Sequence, residues 1–300
     1  MTYVQGRGRF APSPTGPLHL GSLIAAVGSY LNAKSKNCEW LVRIEDLDPP
    51  REQPGAADDL LRTLEAFGLY WDGPVLRQSQ RSELYLDAID TLRQQGLVYA
   101  CRCSRRDIEL EAQPGIDGPR YPGTCRNRHL AQTGTALRVI TTDENIRAQD
   151  RIQGEIIQNL QRDTGDFVIR RRDGLFSYQL AVVVDDTDQG ITEVFRGTDL
   201  LDSTPRQVYL QQRLGYPTPA YFHCPVAVNI AGQKLSKQNL APALTAKNPS
   251  KPLIAAMKFL GQDVPDELAQ ASADEILLWG VHYWAVDRIP RQLQQLVENQ

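Results

Sequence analysis

Two loops carry basic side chains in settings that suit phosphate binding. His19 lies in a Pro- and Gly-rich stretch, residues 9–22, at the entrance to an apolar run with helical spacing. The first turn of a helix offers free backbone N–H groups and a positive dipole end, and an imidazole there can hydrogen-bond to a phosphate oxygen. Lys234 and Lys237 are three residues apart in a Gly- and Ser-containing loop, from which they can reach a polyphosphate. Taken alone, each loop is also consistent with an ordinary solvated connection.

Charged side chains also stand where two predicted strands end. An apolar run at residues 38–44 stops at Glu45, and a strand-like run at residues 191–195 stops at Arg196. The carboxyl ends of strands in open α/β sheets face the ligand crevice. A carboxylate at that edge can pair with an amine, and a guanidinium can bind a carboxylate through two parallel hydrogen bonds. For the acidic stretch, a solvated turn closed by prolines is the alternative interpretation.

Three of the five cysteines are clustered in a loop-rich region. Cys101 and Cys103 are separated by one residue, and Cys125 follows in the same region. Zinc takes four ligands in a tetrahedron, and thiolates can hold together a segment too small for a core of its own. The spacing leaves the fourth ligand open, because His129 would give the common Cys₃His set while Tyr121 would be a rarer oxygen ligand. Three unconnected reduced thiols are the alternative.

The composition is that of an ordinary globular protein, with 300 residues and a net charge of −3. A net charge so close to neutral argues against a protein that coats nucleic acid non-specifically, but it allows a local basic face. No apolar run approaches the length that spans a bilayer, and the first residues lack the apolar segment of a secretory signal. The odd number of cysteines favours a reducing compartment over a disulfide framework, so we expect a cytoplasmic protein with no membrane partner.

The elements that must position these side chains alternate between strand and helix up to about residue 97. Strands are predicted at residues 2–10 and 38–44, and helices at residues 23–31, 55–67 and 82–97. This alternation is typical of a parallel sheet covered by helices. Further apolar runs predict elements beyond the cysteine region, at residues 137–140, 167–169, 176–186, 191–195, 205–214 and 225–230, and helix throughout 249–300.

Five stretches, in this order along the chain, resemble the class I aminoacyl-tRNA synthetases and specifically their glutamyl branch. They are Pro12–Ser22 (the ATP-binding signature), Arg43–Pro49, Tyr178–Asp186, Phe195–Leu201 and Lys234–Gln238 (the mobile lysine loop). Ser22 replaces the second His of the general signature, at a position that is commonly small in this branch, and Gln238 stands where Ser is usual. The resemblance covers about residues 7 to 260.

The resemblance implies an α/β fold, in which a Rossmann-type parallel sheet is split by an inserted zinc-containing α+β region and followed by a short C-terminal helical domain. The expected parts are the first half of the nucleotide-binding domain, the zinc-containing insertion, the second half with the lysine loop, and a helical domain that contacts the tRNA stem: residues 1–97, 98–190, 191–247 and 248–300. The region after the lysine loop is too short for the anticodon-binding region that longer members of the branch carry.

By the same resemblance, a chain shortened in this way is a ligase that activates L-glutamate with ATP and Mg²⁺. It then transfers the glutamate to the queuosine base at the wobble position of tRNA(Asp). A short enzyme that charges the acceptor end of tRNA(Glu) is the alternative; a non-catalytic zinc-containing RNA-binding protein and a small-molecule adenylyl- or nucleotidyltransferase are more distant ones. The resemblance also implies one structural zinc ion per chain, with Tyr121 as the fourth ligand beside Cys101, Cys103 and Cys125. We expect a monomer.

The site residues implied by the resemblance form two groups. Glutamate is expected to contact Arg9, Phe10, Ala11, Pro12, Ser13, Glu45, Tyr178 and Arg196. ATP is expected to contact His19, Gly21, Ser22, Lys234 and Lys237. His19 and Lys237 are the expected catalytic residues, which stabilise charge on the phosphates as the bond breaks. Glu45 is the candidate partner of the substrate's ammonium group, while Arg9 and Arg196 are the candidates for its carboxylates. The spacing does not assign each arginine to one carboxylate.

Overall fold

The computed structural model of the chain describes residues 6–116, 118–235, 243–245 and 247–297. Its strands, numbered in chain order, are β1 (Arg7–Phe10), β2 (Glu39–Ile44), β3 (Leu76–Arg77), β4 (Val98–Cys101), β5 (Gln113–Gly115), β6 (Gly118–Arg120), β7 (Ala136–Val139), β8 (Asn145–Asp150), β9 (Gly154–Asn159), β10 (Phe167–Arg170), β11 (Glu193–Gly197), β12 (Ala220–Cys224), β13 (Val226–Val228) and β14 (Gln294–Leu296). Its α-helices are α1 (Leu20–Lys34), α2 (Ala56–Ala66), α3 (Ser82–Gln94), α4 (Arg105–Glu111), α5 (Leu160–Asp163), α6 (Tyr178–Asp188), α7 (Thr204–Leu214), α8 (Ser250–Phe259) and α9 (Ala273–Tyr283).

A seven-stranded sheet organises the described chain, in the order β3-β2-β1-β11-β12-β8-β9. Neighbouring strands pair in parallel from β3 across to β8, and β9 pairs antiparallel with β8. The prediction of a parallel sheet is therefore confirmed. The chain moves outward from β1 to β3 on one side and from β11 to β12 on the other, so the winding reverses between β1 and β11. Ligand sites of open α/β sheets lie at such a reversal, beside the carboxyl ends of the strands.

Alternating side chains of the central strands separate the two faces of the sheet into two hydrophobic cores. On β11, Val194 is buried in one core and Phe195 in the other. Helices α1, α2, α8 and α9 contribute to the core that holds Phe195, and helices α3, α6 and α7 to the core that holds Val194. Parallel strands require this layering, because both of their faces are apolar and must be covered.

Helix α1 packs against the sheet so closely that it requires a glycine. A Cβ atom at Gly28 would lie 2.2 Å from the Phe195 ring of β11, far inside van der Waals contact. The same helix buries Leu23, Ile24 and Val27 in the core. Since interiors are close-packed, this fit fixes the first turn of α1 relative to the end of β1 and so positions the loop between them.

The cysteine region contains a small sheet of its own. Strands β4, β7 and β10 pair antiparallel in the order β10-β7-β4, and β5 and β6 form a hairpin. Strands β8 and β9 follow β7 in sequence but belong to the large sheet. The boundaries assigned to the insertion at residues 98–190 stay a prediction.

Most predicted elements lie near their expected bounds. The runs at residues 38–44, 55–67, 82–97 and 205–214 are found as β2, α2, α3 and α7. The expectation of helix throughout 249–300 is wrong at β14, which pairs in parallel with β13, since exposed backbone there completes a two-stranded ladder instead. Among the helices of the described residues, none has both the length and the hydropathy that a bilayer crossing requires.

Candidate active site

A cavity of about 860 Å³ opens at the carboxyl ends of β1, β2, β11 and β12. Its volume is typical of small-molecule sites, roughly 300–1,000 Å³. Its lining includes every residue predicted to contact glutamate, namely Arg9, Phe10, Ala11, Pro12, Ser13, Glu45, Tyr178 and Arg196, and, from the predicted ATP set, His19, Gly21, Ser22 and Lys234. Lys237 lies outside the described residues. The fold thus brings separate stretches of the sequence to one edge of the sheet.

The loop between β1 and α1 is shaped by the segment that follows β2. The Glu45 N–H donates to the Pro12 carbonyl (3.0 Å), and the Gln53 N–H donates to the Pro14 carbonyl (3.1 Å). Gly16 has a φ of +130°, and a Cβ atom there would lie 3.1 Å from Gln53 Oε1, so this turn requires glycine. These contacts place Glu45 and the loop between β1 and α1 on adjoining walls of the cavity.

His19 is the N-cap residue of α1. Its backbone is extended, and its Nδ1 accepts a hydrogen bond from the Ser22 N–H (3.3 Å). A Cβ atom at Gly21 would lie 3.1 Å from both the His19 ring and the Leu235 carbonyl, so glycine allows the lysine loop to approach the helix. The imidazole, the first turn of α1 and the start of the lysine loop therefore meet at one end of the cavity, where backbone N–H groups suit phosphate oxygens.

Lys234 lies at the mouth of this end. Its ammonium group pairs with Asp199 Oδ2 (2.5 Å), and the two side chains are 47% and 38% exposed. The described residues on either side of 236–242 both lie near α1, because Leu235 approaches Gly21 and Ala243 pairs with His19. An exposed ion pair of this kind contributes little to stability, so Lys234 can exchange Asp199 for a phosphate.

The opposite end of the cavity is a buried cluster of arginines and carboxylates. Arg9 donates through Nε and Nη2 to the two carboxylate oxygens of Asp186 (3.1 and 3.2 Å). Arg43 is fully buried and donates through Nη2 to Asp186 Oδ1 (2.7 Å) and Glu45 Oε1 (3.3 Å). Asp186 and Arg43 were not among the predicted site residues. Adjacent aspartates in an otherwise apolar segment were the signal for them, since buried acids need internal partners.

Burial and neighbouring charge act in opposite directions on these two carboxyl groups. Burial raises the pKa of Glu45 above its ordinary value, and Arg43 and Arg9 offset only part of this effect. Burial also opposes ionisation of Asp186, but there Arg9 and Arg43 prevail and hold its pKa below the usual value. Asp186 is therefore the fixed counter-charge of the two arginines, whereas Glu45 is the carboxylate that gains most from a cationic ligand.

Arg196 is held by three protein acceptors. Its Nε–H donates to His223 Nε2 (2.9 Å), its Nη1 donates to the Tyr178 hydroxyl (3.2 Å), and its Nη2 donates to the Thr204 hydroxyl (2.9 Å). A guanidinium has five N–H groups, so one remains on each terminal nitrogen. The side chain is 5% exposed and lines the cavity, where these two donors suit a carboxylate.

His223 connects Arg196 to Asp150, the last residue of β8. Nδ1 of His223 lies 2.7 Å from Asp150 Oδ2, and both side chains are fully buried. Burial lowers the pKa of His223 to about 4, so the imidazole is neutral at neutral pH and its Nε2 accepts from Arg196. Neither residue was predicted, because a His and an Asp 73 positions apart carry no local signal.

The three clustered cysteines come together as the sequence predicted. The sulfur atoms of Cys101, Cys103 and Cys125 all lie within 4.8 Å of one another. The Tyr121 hydroxyl lies 3.3 Å from Cys101 Sγ and 3.6 Å from Cys103 Sγ. Ligand atoms about 2.3 Å from a tetrahedral zinc ion are separated by roughly 3.8 Å, so these four atoms fit such an ion. His129 is not part of the group, whereas the Tyr121 hydroxyl contacts two of its sulfur atoms.

Comparison with known proteins gives the same family at several levels. A family model for the catalytic domain of tRNA synthetases class I (E and Q) matches residues 5–269. The glutamyl-Q tRNA(Asp) synthetase of Dechloromonas aromatica (strain RCB) is 56% identical over 289 residues, covering 95% of this chain and 96% of that protein. The protein of that name from Chromobacterium violaceum is 53% identical over 291 residues, covering 97% of each.

The fold is similar to that of a solved glutamate tRNA ligase from Elizabethkingia meningosepticum, crystallised in complex with its amino acid. The TM-score is 0.80 at 24% identity, over 98% of this chain and 67% of that one. At this identity the likeness shows the fold alone, and it supports the class I α/β fold with its parallel sheet. The family model and the relatives both extend over most of the chain. The chain therefore belongs to the class I tRNA synthetases of the E and Q type, in the same family as the glutamyl-Q tRNA(Asp) synthetases.

Proposed function

We propose that the chain is a ligase that activates L-glutamate with ATP to glutamyl-adenylate and transfers the glutamate to the queuosine base at the wobble position of tRNA(Asp). One observation carries the proposal: a single cavity joins a buried arginine–carboxylate cluster to a helix N-terminus and a lysine loop. The shared name of relatives that are 51–56% identical supports this function over charging of the acceptor end of tRNA(Glu).

In the first step, the α-carboxylate of glutamate attacks the α-phosphorus of ATP, and pyrophosphate leaves. The step needs no protein nucleophile, because positioning and charge neutralisation supply most of the rate enhancement in such transfers. His19 and Lys234 would contact the phosphates, with Lys237 as the second cation of the loop and Mg²⁺ accompanying the ATP. Gly21 and Ser22 would line the nucleotide end of the cavity.

Glutamate would bind at the other end. Glu45 would accept the ammonium group, which supplies the positive charge that favours ionisation of a buried carboxyl group. Arg196, with the Tyr178 hydroxyl, would bind the side-chain carboxylate through the N–H groups left on its terminal nitrogens, because its protein acceptors are uncharged. Arg9, in contrast, is already paired with the Asp186 carboxylate. Glutamine would lose the charged contact and leave a buried guanidinium underpaired, so we expect strong discrimination.

The cysteine cluster would hold one structural zinc ion. Cys101, Cys103 and Cys125 would supply thiolates, and Tyr121 an oxygen. The buried apolar cluster at this point consists of little more than these residues, so a metal crosslink would replace a hydrophobic core in holding the segment together. The zinc-containing part would be residues 98–190, and residues 248–300 would contact the tRNA stem.

Two assays test the proposal. ATP–pyrophosphate exchange with glutamate, with glutamine and without an amino acid measures activation, and it is run with and without tRNA(Asp). Transfer of labelled glutamate to tRNA(Asp) with queuosine, tRNA(Asp) without queuosine and tRNA(Glu) measures delivery. We expect exchange with glutamate and transfer only to tRNA(Asp) that carries queuosine. A lack of exchange would overturn the activation step, and charging of tRNA(Glu) would favour the alternative function.

A further inference from the structure

Arg196 belongs to a chain of hydrogen bonds that crosses three strands of the sheet. The chain runs from Tyr178 through Arg196 and His223 to Asp150. Arg196 of β11 is the cross-strand neighbour of His223 of β12, and Asp150 of β8 is the cross-strand neighbour of Tyr221 of β12. His223 and Asp150 are not among the residues that line the cavity, so they act on its contents only through Arg196.

The geometry fixes the tautomer of His223. The Arg196 Nε–H can only donate, so His223 Nε2 must carry the lone pair and Nδ1–H must donate to Asp150 Oδ2 (2.7 Å). The other oxygen of Asp150 accepts from the backbone N–H groups of Ile152 (2.9 Å) and Gln153 (2.7 Å). The turn after β8 therefore fixes the carboxylate, the carboxylate fixes the imidazole, and the imidazole fixes the guanidinium.

We propose that Asp150 and His223 are positioning residues that orient Arg196 so that its two remaining N–H groups meet the side-chain carboxylate of glutamate. The inference rests on the proposed function, in which Arg196 binds that carboxylate. A long side chain that is ordered before binding loses less rotamer freedom when the ligand arrives. Strand β8, at the far side of the parallel strands, then has a role in choosing the amino acid.

Asp150→Asn tests the tautomer directly. Asparagine keeps one oxygen for the backbone N–H groups but presents an amide N–H to Nδ1, so the imidazole proton moves to Nε2. Nε2–H and the Arg196 Nε–H then face each other as two donors, a reversal that disables other carboxylate–imidazole pairs. We expect the KM for glutamate in pyrophosphate exchange to rise about tenfold or more, while the KM for ATP stays within about twofold. The preference for glutamate over glutamine should fall by a similar factor.

His223→Gln and His223→Asn form a matched pair. Glutamine is long enough to place its amide oxygen near the position of Nε2, where it can accept from Arg196, whereas asparagine is too short to do so. We expect the glutamine variant to keep the KM for glutamate within about threefold of the wild type and the asparagine variant to raise it about tenfold. Equal KM values for the two variants would overturn the inference.

Asp166→Asn is the control for general destabilisation. Asp166 is buried like Asp150 and accepts hydrogen bonds from Tyr99, Arg126 and Thr141, but it does not line the cavity. We expect it to lower the melting temperature and leave the KM for glutamate unchanged. An unchanged KM in Asp150→Asn, or an equal rise in Asp166→Asn, overturns the inference. If Asp150→Asn does not fold, the His223 pair decides. Wild-type protein without glutamate-dependent exchange would instead overturn the proposed function.

Discussion

The two ends of the cavity hold their charged groups in different ways. At the amino-acid end, Arg9, Arg43 and Arg196 are at most 5% exposed, and each is bound to acceptors inside the protein. At the nucleotide end, Lys234 is 47% exposed, and water reaches its ion pair with Asp199. Buried pairs are screened little by solvent, whereas exposed pairs are screened strongly. The fold therefore orders the first end before any ligand binds, and it leaves the second end to be ordered by the ligand.

The difference matches the task that we propose for each end. Telling glutamate from glutamine requires donors that are fixed before binding, because an unpaired buried donor is what penalises the wrong ligand. A triphosphate carries enough charge to draw exposed lysines to itself. Substitutions at the amino-acid end should therefore affect stability and glutamate use together, while substitutions at the nucleotide end should affect ATP use alone.

Arg196→Lys should cause the largest loss of activity. Lysine keeps the positive charge but lacks the planar fork, so it cannot serve His223, Tyr178 and a ligand at once. We expect kcat/KM for glutamate to fall about 10²- to 10³-fold, with little change in the KM for ATP. Pyrophosphate exchange at varied glutamate and varied ATP measures both constants. An equal change in the constants for glutamate and for ATP would contradict the separate roles of the two ends. Arg162→Lys, at an exposed ion pair, is the control and should leave both constants unchanged.

Arg9→Ala should reduce both glutamate activation and stability. Asp186 would keep Arg43 but lose its two-point contact with Arg9, so a buried carboxylate would be left partly uncompensated. We expect the fold to persist, the free energy of unfolding to fall by about 3 kcal/mol and glutamate-dependent exchange to fall about 100-fold. Urea unfolding followed by circular dichroism measures the free energy of unfolding.

Arg7→Ala on the same strand provides the control for this result. Arg7 pairs with Glu39, but their side chains are 41% and 32% exposed. We expect its loss to change the free energy of unfolding by less than about 1 kcal/mol and to leave exchange unchanged. Equal destabilisation by the two substitutions would show that burial at the cavity does not set the strength of these pairs.

Local patterns were sufficient for much of the fold. The apolar run of β2 and the helical spacing in α2 and α3 depend on burial of one continuous segment, which the sequence displays directly. The strand at β14 was missed because its partner β13 lies 68 residues earlier in the chain, and a three-residue strand has no periodicity to detect.

Some residues of the site could be predicted from local sequence patterns, and others depend on contacts made only after folding. Glu45 and Arg196 could be predicted, because each follows an apolar strand within a recognisable stretch. Asp186 was signalled only as a buried acid, and His223 had no local signal, because the partners of both depend on which side chains face each other after folding. Arg9 and Asp186 are 177 positions apart, and the contact between Arg196 and His223 depends on the register of two parallel strands. Register and helix orientation are set by tertiary packing, which no short window of sequence contains.

Lys234→Ala should have a moderate effect confined to ATP. Because its pair with Asp199 is exposed, we expect the free energy of unfolding to change by less than about 0.5 kcal/mol. The KM for ATP should rise about tenfold, with the KM for glutamate unchanged. Asp199→Asn is the matched variant, since it removes the negative charge of the pair and keeps the lysine, and it should not raise the KM for ATP. A raised KM for glutamate in Lys234→Ala would contradict the assignment of Lys234 to ATP alone.

The smallest effect is expected in the pH dependence of glutamate binding. Glu45 must be ionised to accept an ammonium group, and burial raises its pKa above the ordinary 4.5. The KM for glutamate should therefore rise as the pH falls through that raised pKa. The KM for ATP should not follow this change, and Glu45→Gln should abolish it. A pH dependence shared by both substrates would assign the titration to another group.

Ionisation of Glu45 and ionisation of Asp186 should change the free energy of unfolding in opposite directions. Folded Glu45 binds its proton more tightly than the unfolded chain does, so its ionisation weakens the fold as the pH rises above about 4.5. Folded Asp186 has a lowered pKa, so its contribution is present at neutral pH and is lost as the pH falls through that lowered value. At pH 7, Glu45→Gln should therefore be at least as stable as the wild type in urea, and Asp186→Asn should be less stable. Both carboxylates contact Arg43, so the comparison tests whether they differ in role. If both variants lose stability, Glu45 also holds the arginines and is not kept for the ligand.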